Sequence, residues 1–177
     1  KATLGRISRY GVVFNSWSLD HIGAMTKSVR DQALVAHVLS GYDKQDPISL
    51  PMEKIKKDVE PLGDLSALRI GVPSSYFYDD TETEVKGSVL KAIQELAKHG
   101  ADVQDVDLPD IFETAMAARN IIGHSELSSY HYDTYRTKAD KYSPVLQKRI
   151  PTGTIIPQLT YLKALRIRSI YIQQMKD

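Results

Sequence analysis

LRIGVPSSYFYDDTETEVKGSVLKAIQELAKHGADVQDVDLP, residues 68–109, sets the fold class. LRIGV (68–72) reads as a short buried strand, closed by Pro73, which has no N–H to extend a ladder. After Thr81, the residues Val85, Val89, Ala92, Ile93, Leu96 and Ala97 recur at helical spacing and make one apolar stripe. The helix ends in Lys98, His99 and Gly100. Cations sit well at the negative end of the helix dipole, and glycine suits the left-handed stop. ADVQDVDLP (101–109) gives a second strand, halted by Pro109. Strand, helix and strand with short links make a βαβ crossover over about 68–108, so the strands are expected to be parallel and joined right-handedly.

Outward from this unit the chain reads mostly as helix. In TKSVRD (26–31), Ser28 and Asp31 have capping-box spacing. Val29, Ala33, Ala36 and Val38 follow at near-helical intervals and Gly41 fits the stop, which predicts a helix over 28–40. Residues 43–66 carry Pro47, Pro51 and Pro61, which deny a long regular element. A surface excursion is expected there, with one short helical turn around Glu53–Lys57. Two more helices are expected, one over 111–131 despite Gly123, the other from Pro157 to Met175 with proline at its start.

Composition narrows the class. The 177 residues are 42% hydrophobic and 25% charged, ordinary values for a globular chain with a real core. With 23 basic and 22 acidic residues interspersed, there is no electrostatic footprint for nucleic acid or an anionic membrane. No apolar run reaches membrane-spanning length and no charged-then-apolar leader opens the sequence. Cysteine is absent, which removes disulfides, thiolate nucleophiles and cysteine zinc sites. It also fits a reducing compartment, and a cytoplasmic location is expected. The sequence opens on Lys1 rather than methionine, so a piece of a larger protein is expected.

The candidate chemical groups are few. Asp20-His21 with Ser16 and Ser18 suggests a Ser-His-Asp set, but sequence neighbours rarely face one another in a triad. No G-x-S-x-G elbow occurs. The preferred reading makes Asp20 a loop acid accepting backbone N–H bonds. His124-x-Glu126 is half of a zinc-deaminase pattern, whose other half requires cysteine. The two side chains should also leave a helix on different faces. No metal or cofactor is expected. Arg166, Arg168, Tyr161 and Tyr171 are read as a solvated face of the last helix. Arg149 stands in LQKRIPTG, where Pro151 and Gly153 are expected to break the chain and leave its planar fork at a helix end.

The N-terminal third carries a more specific signal. KATLGRISRYGVVFNSWSLDHIGAMTKSVRDQALVAHVLSGYDKQD resembles the segment that follows the catalytic core motif in the amidase signature family. The family pattern runs close to K-P-T-x-G-R-x-S-R-x-G, then S-x-D-x-x-G-P-x-x-R-x-V-x-D-A-A, then G-x-D-x-x-D. Lys1, Thr3, Gly5, Arg6, Ser8, Arg9, Gly11, Ser18, Asp20 and Gly23 fit it. So do Val29, Asp31, Ala33, Gly41, Asp43 and Asp46. Ala2, Ala24 and Lys27 depart from it. Downstream, LRIGVPSSYF, the Val85–Leu96 helix, GADVQDVDLP, Glu126, Arg149 with Gly153, and YLKALRIR continue in family order, so the resemblance covers essentially all 177 residues.

The resemblance implies an α/β fragment of the amidase-signature fold, a mixed sheet flanked by helices, from the middle of a larger domain. It implies an amidase that turns a small-molecule carboxamide into carboxylate and ammonia through a Ser–cis-Ser–Lys triad. In the family those groups precede the K-P-T-x-G-R motif, so no catalytic residue is expected within 1–177, and this chain alone is expected to be inactive. In the tRNA-dependent amidotransferase subunit of the family, an arginine matching Arg149 binds the carboxylate of glutamine, and a pocket tyrosine falls at Arg119 here. That makes Arg149 the expected substrate-binding residue. The short stretch between Glu126 and Arg149 favours a free-standing amidase. S-R-Y-G at 8–11 and S-L-D-H-I-G at 18–23 favour the glutamine-dependent amidotransferase instead. A third reading is a non-catalytic truncated binding module. The isolated piece is expected to be less stable than its parent, or to pair as a homodimer through raw strand edges.

Overall fold

The computed structural model describes residues 3–59 and 63–176. Lys1, Ala2 and Pro61, which the motif and the proline count drew on, lie outside the described residues. The chain divides into two compact units, one of residues 3–59 with 114–173, the other of 63–113 with 174–176.

The smaller unit holds the βαβ crossover. β1 (Arg69–Pro73) and β2 (Asp102–Val106) pair in parallel, Arg69 opposite Asp102 and Pro73 opposite Val106. Helix α1 (Val29–Leu39) precedes them in the chain, and α2 (Thr83–Lys98) is the crossover. Gly71 matters here: a Cβ on it would come within 3.1 Å of the Val106 methyl groups across the pair. Gly100 takes a φ of +101° and turns the chain from α2 into β2, as a left-handed stop requires. Phe112 is buried against Tyr76, with ring centroids 4.6 Å apart. The apolar stripe of α2 is real, yet α2 has no buried residue, and Val85 stays 51% exposed.

In the larger unit, α1 is capped as its sequence predicts, with Ser28 Oγ accepting from Asp31 N at 3.1 Å. Residues 5–9 and 40–50 are knotted by a mix of side-chain and backbone bonds. Asp46 accepts from the Arg9 and Ile48 amides, Ser8 Oγ donates to Asp43 at 2.6 Å, and Gly5 accepts from Leu50 N. Gly5, at φ +80°, lies so close to the Ile48 carbonyl that no side chain fits. No helical turn forms at 53–57. Pro51 and the bonds from Arg6 to Met52 Sδ and the Glu53 carbonyl hold an irregular path there.

The first of the two expected helices runs longer than predicted. α3 (Phe112–Lys138) continues past residue 131, followed by a 3-10 turn at Ala139–Lys141. α4 (Pro144–Thr154) is a helix where a broken chain was expected, so Arg149 sits within it and not at its end. Pro151 lies inside α4 and cannot donate to the carbonyl four residues back. That carbonyl, on Gln147, accepts instead from the Tyr135 hydroxyl of α3 at 3.1 Å. Gly153 lets the α4 backbone touch the His124 carbonyl and Ser128 of α3, and Ser128 Oγ donates to the Ile150 carbonyl. α5 (Gln158–Gln174) packs its Ala164 with Ala118 and Ile122 of α3 as a fully buried cluster, covered by Leu19, Tyr161 and Leu165. Among the described residues no helix is long and apolar enough to cross a membrane.

The two glycines on either side of the α3–α4 contact should behave oppositely. Gly153→Ala places a methyl into the His124 carbonyl and is expected to lower unfolding free energy by about 1–3 kcal/mol. Gly123→Ala meets nothing within 4 Å and is expected to raise it by about 0.5–1 kcal/mol, as alanine does for glycine inside a helix. Urea unfolding of both variants measures the difference.

Candidate functional site

The turn at residues 14–21 is held in place before it offers anything to a ligand. Asp20 Oδ2 accepts from Asn15 N at 2.7 Å and Ser16 N at 2.9 Å, the backbone-anchoring role expected of it. Arg9 is 2% exposed and donates through Nη1 to the Trp17 and Asp20 carbonyls. Its guanidinium lies 4.9 Å from the Phe14 ring centroid and 5.2 Å from that of Trp17. Such cation–π contacts offset part of the cost of burying a charge. His131 of α3 clamps the same turn. Its Nε2 faces the Phe14 carbonyl at 2.9 Å, which only accepts, so Nε2–H donates. Nδ1 then accepts from the Tyr142 hydroxyl at 3.0 Å.

The serines and the histidine of the suspected triad are occupied elsewhere. Ser16 Oγ donates to Glu126 Oε2 at 2.5 Å, Ser18 Oγ donates to Glu126 Oε1 at 2.8 Å, and Ser18 N donates to Oε2 at 2.8 Å. Tyr161 of α5 adds its hydroxyl at 3.1 Å. His21 Nδ1 lies 2.7 Å from the Leu19 carbonyl and touches neither serine. Arg168 donates to both Ser18 Oγ and the Ser18 carbonyl. Arg168 and Tyr161 are thus part of a polar junction between the turn and α5, which corrects their reading as a solvated face. The sequence held one signal of this: Ser16, Ser18 and Glu126 are polar groups beside strongly apolar neighbours, and such groups need partners.

Above the junction, the turn, α3 and α4 enclose a cavity of about 300 Å³. Asn15, Ser16, Leu19 and Asp20 line it from the turn. Arg119, Asn120, Gly123, His124 and Leu127 line it from one face of α3, and Arg149 from α4. His124 and Glu126 therefore serve different surroundings, as their spacing implies. Arg149 forms no hydrogen bond or ion pair among the described residues, and Arg119 donates to Asn120 Oδ1 at 3.1 Å. Asp20 is the one carboxylate of the lining. The arrangement is cationic and rich in donors, suited to a carboxylate or a carbonyl oxygen. The hydroxyl of the lining serine, Ser16, is already donated to Glu126. Among the described residues no three His, Asp or Glu side chains gather as a metal site.

Burial opposes the charge on Glu126, but the bonds from Ser16, Ser18 and Tyr161 overcome it and hold its carboxyl below the ordinary glutamate value. A carboxylate with a lowered folded pKa contributes stability that is present above its unfolded value, roughly 4.3, and lost as pH falls through the folded value. Acid unfolding is therefore expected to weaken the fold below about pH 4.5, and Glu126→Gln should flatten that part of the stability–pH curve while lowering stability at neutral pH. Denaturation midpoints between pH 3 and 7 check both.

Known proteins resemble this chain in sequence and fold. The Amidase family model matches residues 1–177. The chain is 37% identical to a glutamyl-tRNA(Gln) amidotransferase subunit of Halothermothrix orenii, with 96% of it spread over 194 aligned positions and 40% of that relative covered. It is 36% identical to an amidase of Pseudomonas putida over 169 positions, covering 95% of this chain and 36% of the relative. A solved structure from a vestigial protein complex bearing on the origins of an s-triazine catabolic enzyme superposes with a TM-score of 0.85 at 32% identity, covering 99% of this chain and 37% of that one. This chain thus spans about two fifths of the length of the curated relatives it matches. Matched from end to end and sharing a third of its residues with such enzymes, the chain belongs to the amidase family.

Proposed function

We propose that residues 1–177 are the middle portion of an amidase domain and supply the scaffold and substrate wall for hydrolysis of a small carboxamide. In this reading the reacting groups are the Ser–cis-Ser–Lys set that the family resemblance implies, outside the chain. A serine hydroxyl attacks the amide carbonyl, a second serine relays its proton to a neutral lysine, the proton returns to the amide nitrogen as the C–N bond breaks and ammonia leaves, and water releases the acid and restores the serine. Preorganised backbone N–H groups carry the developing oxyanion charge. Arg149 binds the non-reacting end of the substrate.

The observation that carries the proposal is the pairing of a cationic cavity with hydroxyls that are all otherwise engaged. Ser16 and Ser18 are fixed on Glu126, while Arg149 has no hydrogen-bond or ion-pair partner among the described residues beside the open volume. The exposed apolar stripe of α2 also supports a partial domain, because an amphipathic helix of this length normally covers its apolar face.

The glutamine-dependent amidotransferase is the second reading, since relatives of both kinds match. The alignment lengths favour the amidase. The amidotransferase relative needs 194 positions to match 96% of a 177-residue chain, so it carries residues with no counterpart here, whereas the amidase needs only 169. A cytoplasmic location, consistent with the absence of cysteine, belongs to the same proposal.

Ammonia release from carboxamides tests the reading. The full-length protein is expected to release ammonia and the 177-residue chain is expected to release none. Turnover by the chain alone overturns the assignment of the chemistry. In the full-length protein, Arg149→Ala is expected to raise KM for a carboxylate-bearing amide about ten- to a hundredfold, the worth of a charge-assisted hydrogen-bond pair, with kcat changed far less.

A further inference from the structure

Arg149 is not the only cation of the cavity. Arg119, presented by α3, lines the same volume, and its guanidinium makes one hydrogen bond, to the neutral side chain of Asn120. The ion pairs among the described residues are Lys98 with Glu95 and Lys141 with Asp140, so neither cavity arginine has an acid partner. The one lining carboxylate, Asp20, is already accepting two backbone N–H bonds through Oδ2. Two like charges over one acid leave the cavity net positive, and His124 can only add to that. Two guanidinium groups that line one volume without acid partners favour an anion there over a cation.

We infer that Arg119 is a second specificity-determining residue, and that the substrate is an amide whose only charge is negative: a carboxylate without an ammonium group. The inference rests on the amidase reading and sharpens it. A single arginine accepts the carboxylate of an amino-acid amide and of a plain acid amide almost alike. A second guanidinium in the same cavity attracts the acid amide further and repels the ammonium of the amino-acid amide. Asp20 offsets only part of this for the ammonium, because it is one carboxylate against two guanidinium groups and its Oδ2 already accepts two backbone N–H bonds. Discrimination then comes from an unfavourable contact with the wrong substrate as much as from a good contact with the right one.

Three measurements on the full-length protein decide it. The first is the ratio of kcat/KM for glutaramate over glutamine, which differ only in the ammonium group. The ratio is expected to exceed about ten in the native protein, to fall severalfold or more in Arg119→Gln, and to be largely kept in Arg119→Lys. The second is calorimetric binding of glutarate, which needs no turnover; its Kd should rise about tenfold in Arg119→Gln and lose its steep dependence on salt. The third is thermal unfolding, which should be unchanged because Arg119 is exposed. A selectivity ratio and a glutarate Kd that ignore Arg119→Gln overturn the inference. If neither amide is hydrolysed but glutarate binding still depends on Arg119, the anion site stands and the amidase reading fails.

Discussion

A carboxylate taken partly out of water must be met by donors, and in finding them Glu126 ties three segments together. Ser16 and Ser18 bring the turn to it, α3 carries it, and Tyr161 brings α5. Arg168 then closes the loop by holding Ser18 from α5. Removing any one donor leaves an under-satisfied buried charge, which costs more than the lost bond itself. The geometry of the cavity follows from this. The turn whose other edge offers Asn15, Ser16, Leu19 and Asp20 is fixed against the same helix that offers Arg119 and His124.

The second fixed wall is α4, and its placement shows what sequence reading can and cannot see. A proline and a glycine two residues apart argue for a break, because each costs helix stability by itself. Here both are put to use. Pro151 frees the Gln147 carbonyl for Tyr135, and Gly153 removes the side chain that would hold α4 off α3. Both compensations come from another helix, α3, which no local pattern around Pro151 reveals. Ser143-Pro144 was the legible signal for this helix. Serine caps by accepting from Leu146 N, and proline at the first position costs no hydrogen bond. A break assigned at Pro151 hid it.

The βαβ unit was readable for the opposite reason, because its determinants are local. Apolar spacing, the Lys98–His99–Gly100 stop and the flanking prolines each act within a few residues. Glu53–Lys57 failed as a helical turn because the neighbouring Pro51 and bonds from Arg6 outweighed a weak propensity. Glu126 and its partners were out of reach in the same way as α4: Ser16 lies 110 residues from it in sequence. The motif resemblance bridged part of that gap, since the residues it marks at Gly5, Ser8, Arg9, Asp20, Asp43 and Asp46 are the ones that knot the N-terminal segment together.

That last correspondence changes what a motif of this kind means. With three serines, an arginine, an aspartate and a histidine, residues 7–23 have the parts of an active site, yet the partners found for Ser16, Ser18, Asp20 and His21 are backbone groups, Arg168 and one glutamate. Polar residues are needed here because a half-buried turn packed beside α3 carries N–H and C=O groups that must find partners. Arg9 makes the point most sharply: its Nη1 caps two carbonyls of the turn while aromatic faces cover the rest of the guanidinium. A support of this stiffness leaves the exposed cations free of structural duty. Neither Arg119 nor Arg149 bonds to the turn among the described residues, and exposed positions of this kind, not those within the motif, are where members of one fold are free to differ.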